Sequence, residues 1–219
     1  MSSIRTKSSE KSDRNAEVFS RALEALRRGE VVVYPTETFY GLGADALSAS
    51  AVEAVVALKG RDPQSPVPLI VADRGMLATV VQEIPRIAEI LIERFWPGPL
   101  TLVLPGLKDL PGPLLNKSGG VGVRISSHPL ATRLTRESGR PLTATSANLS
   151  GKQPAKTIEE AMSYFSGKIE IFLDGGKLRG KKGSTVVEIR DNELVPIREG
   201  EISLSDLKRA VGEDFRPDN

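Results

Sequence analysis

The segment VVVYPTETFYGLG, residues 31–43, combines a buried strand with a polar end, and it decides the fold prediction. Three valines and a tyrosine are typical of a buried strand, and Pro35 ends that apolar run. The residues Thr-Glu-Thr at 36–38 then place hydrogen-bonding groups at its carboxyl end. Gly41 and Gly43 follow, and their conformational freedom predicts a tight turn of the backbone. We therefore expect the tip of this strand to border a crevice.

The composition is that of an ordinary globular protein. Of 219 residues, 39% are hydrophobic and 26% are charged, and no apolar run reaches the length of about 18 residues that a membrane span needs. Cysteine is absent, which excludes disulfides, thiolate metal sites and cysteine nucleophiles. We expect one main domain without membrane contact, located in the cytoplasm.

The net charge of +2 is concentrated at the N-terminus. Residues 1–15 hold four basic and two acidic side chains, and this polar stretch is predicted to form a disordered leader. The rest of the chain is balanced, so its overall charge does not indicate attraction to nucleic acid. The one dense basic cluster, KLRGKK at 177–182, is predicted to be a solvated loop.

Hydrophobic periodicity alternates between helix and strand along most of the chain. Helices are predicted over about 16–28, 50–58 and 85–95, and from Pro129, Thr157 and Ser203, with capping boxes at Ser50/Glu53 and Thr157/Glu160 and a cap at Ser203/Asp206. Strands are predicted at 31–34, 67–72, 100–104, 121–125, 142–146, 169–173, 184–189 and 194–197. This order predicts an α/β fold, with a mixed twisted sheet flanked by helices.

The common catalytic motifs are missing or incomplete. His128 is the only histidine, and its place before Pro129 favours a helix cap over a catalytic triad. The segment GGKLRGKK (175–182) nearly matches a phosphate loop, but Lys182 stands at the Ser/Thr position and a strand follows. Neither feature therefore predicts an active site.

Polar side chains instead gather at predicted strand ends, where ligands bind in open α/β sheets. These residues are Thr36, Thr38, Lys59, Arg61, Arg124, Ser146, Asn148, Ser184, Thr185 and Arg198. Hydroxyls, an amide and several cations suit a polyanionic ligand such as a nucleotide.

Structural roles remain open for several of these residues. Thr36 could cap a turn, Asn148 could occupy one, and Lys59 and Arg61 could complement the end of a helix. Arg124 is more informative, because an arginine in an apolar strand needs a partner or a ligand.

The motifs, taken in order, resemble those of the YrdC-like family of threonylcarbamoyl-AMP synthases. They are YPTETFYGLGADA, KGR, FWPGPLTLVL, VGVRISSHP, TATSANLSG, LDGG and GSTVVEI with PIREG, covering about 16–202. The resemblance implies a YrdC-like fold with a large concave groove. It also implies the synthesis of threonylcarbamoyl-AMP and pyrophosphate from L-threonine, bicarbonate and ATP, for threonylcarbamoyladenosine modification of tRNA.

The resemblance also implies roles for the site residues, without assigning a catalytic side chain. Threonine would be held by Thr36, Arg124 and Ser184, and ATP by Lys59, Arg61, Ser146, Asn148 and Arg198. Mg²⁺ would be carried by the triphosphate, so no protein metal site is expected. The product would pass to the tRNA threonylcarbamoyl-transfer machinery.

Some positions depart from the family pattern and leave two alternatives open. Val67, Ala72, Gly120 and Pro154 replace polar residues, and REG replaces RPG. The ending REG is similar to the YciO branch, so the alternative is a divergent or non-catalytic protein that binds double-stranded RNA or tRNA. The second alternative is a carbamoyl-transfer domain like that of hydrogenase maturation proteins. The predicted domains are the leader at 1–15, a catalytic domain at 16–202, and a C-terminal helix and tail at 203–219.

Overall fold

The structure is a computed structural model that describes the backbone of residues 3–60, 65–191 and 193–214. Side chains are described for 15–60, 65–191 and 193–212. Within these ranges, no helix has the length and apolar character needed to cross a bilayer.

Helices and strands alternate as the sequence predicts. The helices are α1 (Ser3–Arg27), α2 (Ala49–Lys59), α3 (Arg74–Leu77), α4 (Arg86–Phe95), α5 (Pro129–Ser138), α6 (Ile158–Phe165) and α7 (Leu204–Asp214), with a 3-10 turn at Gly112–Leu114. The strands are β1 (Val32–Pro35), β2 (Tyr40–Gly43), β3 (Leu69–Ile70), β4 (Leu100–Pro105), β5 (Gly120–Arg124), β6 (Leu142–Thr143), β7 (Thr145–Ser146), β8 (Thr185–Arg190) and β9 (Glu193–Arg198).

The described strands form two sheets. The larger has the order β6-β3-β5-β4-β8-β9, and the smaller has the order β1-β2-β7. In the larger sheet β3 is parallel to β5 and β4 is parallel to β8, whereas its other pairs are antiparallel. The predicted mixed α/β architecture is therefore confirmed, although its strands divide between two sheets.

The division occurs within the segment 142–146, which was predicted to be one strand. Leu142 and Thr143 pair with β3 in the larger sheet, whereas Thr145 and Ser146 pair with β2 in the smaller one. Ala144 lies between them, and its N–H donates to the carbonyl of Pro68. The chain thus leaves one sheet and enters the other at a single residue.

The segment 31–43 forms a hairpin, so the predicted tight turn at the two glycines is wrong. Both glycines lie within β2, and the turn is at residues 36–39. Gly43 is needed for space, because a Cβ there would lie 2.7 Å from the ring of Tyr34. That ring is fully buried, and its hydroxyl donates to the carbonyl of Thr143.

Helix α1 begins at Ser3, so the prediction of a disordered leader over 1–15 is wrong for the backbone of 3–15. No proline or glycine interrupts residues 3–27, and such a sequence can continue a helix towards the N-terminus. Beyond residue 15 the predicted apolar face is confirmed, since Phe19, Ala22 and Leu26 are buried.

Other predictions are confirmed with adjustments. Pro85 precedes α4, His128 caps α5 through its ring, and Thr157 with Glu160 forms the predicted capping box. The cap of α2 is Ser48 rather than Ser50, because the helix begins at Ala49 and the Ser48 side chain accepts from Ala51 N–H.

Two predicted strands are shorter in the structure. Only Leu69–Ile70 of the segment 67–72 is a strand, and these two residues pair with both β5 and β6. The segment 169–173 makes an isolated bridge between Phe172 and Val33 instead of a full ladder, although its Ile169, Ile171 and Leu173 are buried.

We predict that Gly43→Ala destabilises the fold by about 1–3 kcal/mol, the usual cost of overpacking a core. The added methyl group would meet the Tyr34 ring, which is held by burial and by its hydrogen bond. The measurement is the free energy of unfolding in urea.

Gly212→Ala is the matched control for this substitution. A Cβ at Gly212, within α7, would meet nothing within 4 Å, so alanine should stabilise the helix by about 0.5–1 kcal/mol. Equal stability changes in the two variants would contradict the assigned role of Gly43.

Candidate functional site

A cavity of about 730 Å³ opens where residues of the two sheets meet. The predicted residues that line it are Thr36, Thr38, Lys59, Arg124, Ser146, Asn148, Ser184 and Arg198. Of the other two predicted residues, Thr185 is not part of the lining, and Arg61 lies outside the described residues. The expectation that polar strand ends converge is therefore confirmed for those eight residues.

Thr36 holds the turn of the β1–β2 hairpin. Its hydroxyl donates to the carbonyl of Phe39 at 2.7 Å and accepts from the N–H groups of Thr38 and Phe39 at 3.3 Å. The Thr38 hydroxyl lies 3.1 Å from it. The turn-capping role is confirmed, and Thr36 is only 2% exposed, so contact with threonine stays a prediction.

Arg124 is a buried cation with a buried partner. Its Nε lies 3.0 Å from Oε1 of Glu37, and the two side chains are 4% and 11% exposed. The other carboxylate oxygen, Oε2, accepts from the hydroxyl of Ser126. This pair joins β5 of the larger sheet to the hairpin of the smaller sheet.

Lys59 lies at the end of α2 and organises the turn that follows β7. Its ammonium group donates to the carbonyls of Ser146 at 2.6 Å and Asn148 at 3.0 Å, and to Asn148 Oδ1 at 3.0 Å. The next residue, Gly60, ends the helix with a φ of 57°, so the helix-end role is confirmed. Lys59 therefore supplies positive charge to the cavity while it is bonded to this turn.

Asn148 uses both ends of its amide within the same turn. Its Nδ2 donates to the carbonyls of Leu149 at 2.8 Å and Lys152 at 2.7 Å, and its Oδ1 accepts from the Ser146 hydroxyl at 2.6 Å. The structural role left open for Asn148 is thereby confirmed. Ser146 and Asn148 both line the cavity.

Arg198 and Ser184 form another part of the lining. Arg198 donates to the carbonyl of Ser184 from Nη2 at 2.9 Å and from Nε at 3.2 Å. Partial burial of the guanidinium lowers the pKa of Arg198, and the nearby Arg124 charge lowers it further. Among the described residues no carboxylate pairs with Arg198, so an anion in the cavity would relieve this repulsion.

The sequence prediction missed Thr101 and the role of Glu37. The Thr101 hydroxyl lies 2.9 Å from that of Ser184 and faces the same cavity. Its position within the apolar strand LTLVL was a usable signal, as it was for Arg124. Glu37 was visible only as part of a polar run, and its partner lies 87 residues away.

Within the described part of the chain, the cavity therefore combines three cations with several hydroxyls. Such a lining can hold carboxylate and phosphate groups and can neutralise charge that develops on them. Among the described residues no group of three or more His, Cys, Asp or Glu side chains could hold a metal ion. The KLRGKK side chains Lys177, Arg179, Lys181 and Lys182 are exposed, as predicted for a solvated loop.

Comparison with known sequences identifies a family. The family model for Sua5, YciO and YrdC proteins, described as "Telomere recombination", matches residues 24–200. The threonylcarbamoyl-AMP synthase of Pyrococcus abyssi is 40% identical over 86% of this chain and 55% of its own length. That of Vibrio cholerae El Tor is 38% identical over 84% of this chain and 98% of its own.

Comparison with solved structures gives the same result. Sua5 of P. abyssi in complex with L-threonine has a TM-score of 0.85 and 38% identity, covering 91% of this chain and 58% of that one. YciO of Escherichia coli has a TM-score of 0.78 and 29% identity, covering 87% and 93% of the two chains.

The length of the match differs among these relatives. The chain spans just over half of P. abyssi Sua5 but nearly all of the Vibrio synthase and of YciO. Because the family model covers most of the sequence and the YrdC-type fold is shared, the chain belongs to the Sua5/YciO/YrdC family.

Proposed function

We propose that this chain is an L-threonylcarbamoyladenylate synthase, a nucleotidyltransferase that makes threonylcarbamoyl-AMP and pyrophosphate from L-threonine, bicarbonate and ATP. The observation that carries the proposal is a pair of arginines on one cavity that also presents hydroxyl groups: Arg124, which is buried, and Arg198, which has no carboxylate partner among the described residues. Relatives named threonylcarbamoyl-AMP synthase, at up to 40% identity, support the same activity.

Two adjacent subsites follow from this proposal. Arg124, with Thr36 and Ser184, holds the threonine. A guanidinium binds a carboxylate, and hydroxyl oxygens accept hydrogen bonds from an amine. Arg198 and Ser146 bind ATP together with Arg61. Lys59 and Asn148 maintain the turn after β7, and Lys59 adds positive charge beside the phosphates.

The reaction then needs positioning more than a side-chain base. The amine of threonine attacks the carbon of bicarbonate, and loss of water leaves a carbamate. A carbamate oxygen attacks the α-phosphorus of ATP, and pyrophosphate departs. Fixed cations beside the phosphates stabilise the charge that builds up in this second step.

We propose that Mg²⁺ enters with the triphosphate and is held mainly by phosphate oxygens and water, as is usual for this ion. The residues of this chain would then orient the nucleotide around the ion. The product would serve tRNA modification in the cytoplasm through a transfer machinery that accepts it.

A YciO-like protein that binds double-stranded RNA or tRNA without catalysis is not favoured. The sequence identity of this chain to the synthases is higher than its identity to E. coli YciO. Residues 16–219 also carry no net charge, because the net charge of +2 lies in the leader. The proposal therefore links this chain to tRNA only through its product, which serves tRNA modification.

We predict that the purified protein releases pyrophosphate from ATP only when L-threonine and bicarbonate are both present. The physical reason is that no nucleophile reaches the α-phosphate until the carbamate has formed. The measurement is a coupled pyrophosphate assay with each substrate omitted in turn. Pyrophosphate release that ignores threonine would contradict the proposed function.

We also predict that Arg198→Gln raises the KM for ATP by about ten- to a hundredfold, the loss expected for a charge-assisted contact. Thermal stability should change little, because glutamine can still donate to the Ser184 carbonyl. The control is Arg209→Gln on α7, whose side chain is 66% exposed. A similar change in KM for both variants would argue against a nucleotide role for Arg198.

A further inference from the structure

Glu37 stands behind the cavity rather than on its surface. It is not among the lining residues, whereas its partner Arg124 is. Both oxygens of the carboxylate are engaged, since Oε1 accepts from Arg124 Nε at 3.0 Å and Oε2 accepts from the Ser126 hydroxyl. Ser126 is itself fixed, because its oxygen accepts from the N–H of His128 at 3.2 Å.

The remaining edge of the Arg124 guanidinium faces the cavity. Among the described residues, Arg124 forms its hydrogen bond and ion pair with Glu37 through Nε. Its Nη1 and Nη2 have no protein partner there. No fully buried side-chain nitrogen or oxygen in the described structure lacks a hydrogen-bond partner. The two Nη atoms must therefore have access to the space of the cavity.

We propose that Glu37 is a positioning residue for substrate binding, which it directs through Arg124. By holding Nε, it turns the Nη1–Nη2 edge towards the cavity, and that edge can bind both oxygens of one carboxylate. The inference rests on the proposed function, because the carboxylate in question is that of L-threonine. Ser126 supports the same arrangement by fixing the rotation of the Glu37 side chain.

Glu37 affects binding of the substrate carboxylate in two opposite ways, and substitutions can separate them. Glu37 orients Arg124, which favours the substrate carboxylate, but its negative charge also offsets part of the attraction. Glu37→Asp keeps the charge and shortens the side chain, so it cannot reach Nε and Ser126 together. Glu37→Gln removes the charge but keeps the length of the side chain. Because the length is kept, the orientation of the Arg124 guanidinium is largely retained.

The test is calorimetric binding of L-threonine and of L-threoninamide, which lacks the carboxylate, to the wild-type protein and the two variants. We expect Glu37→Asp to weaken threonine binding at least about tenfold, as for the loss of one charge-assisted contact, and to leave threoninamide binding unchanged. Glu37→Gln should weaken threonine binding less than Glu37→Asp does. The KM for ATP should stay the same in both.

Other results would overturn the proposal. A larger loss with Glu37→Gln than with Glu37→Asp would mean that Glu37 acts through its charge. Equal losses of binding affinity for threonine and threoninamide would mean that Glu37 only supports the fold. The control is Glu137→Asp in the exposed pair with Arg133, at 2.7 Å, which should change neither ligand.

The outcome is distinguishable from failure of the proposed function. Selective threonine binding without turnover would refute the synthase activity and leave the role of Glu37 supported. If the wild-type protein binds no threonine, both proposals fail. If Glu37→Asp does not fold, Ser126→Ala replaces it, and selective weakening of threonine binding is again expected.

Discussion

The buried ion pair between Glu37 and Arg124 is the interaction on which the site depends. Arg124 is in β5, inside the larger sheet, and Glu37 is in the hairpin turn of the smaller sheet. Removing one partner of such a pair leaves an uncompensated charge, at a cost of about 3–5 kcal/mol. The pair therefore fixes the two sides of the cavity relative to each other.

Most polar groups around the cavity also hold its shape. Thr36 closes the hairpin turn, and Lys59 with Asn148 closes the turn after β7. The structural and the binding interpretations of these residues are therefore compatible. Arg198 and the outer edge of Arg124 are the cationic groups least committed to protein contacts, which makes them the natural places for carboxylate and phosphate.

Much of this arrangement could be predicted from sequence, because strand ends and caps are local signals. The convergence of eight predicted residues on one cavity followed from polar groups after apolar runs. The role of Gly43 could not be predicted, because it depends on the Tyr34 ring across the hairpin. The partnership of Glu37 and Arg124 was equally hidden, since no local pattern joins residues so distant in sequence.

The central claim is that one cavity joins threonine, bicarbonate and the nucleotide. Carbon-labelled bicarbonate tests it most directly, because the label must pass into the product. The account predicts that the label appears in a compound containing AMP when ATP and L-threonine are both supplied. Labelled nucleotide formed without threonine, or none formed with all three substrates and Mg²⁺, would contradict it.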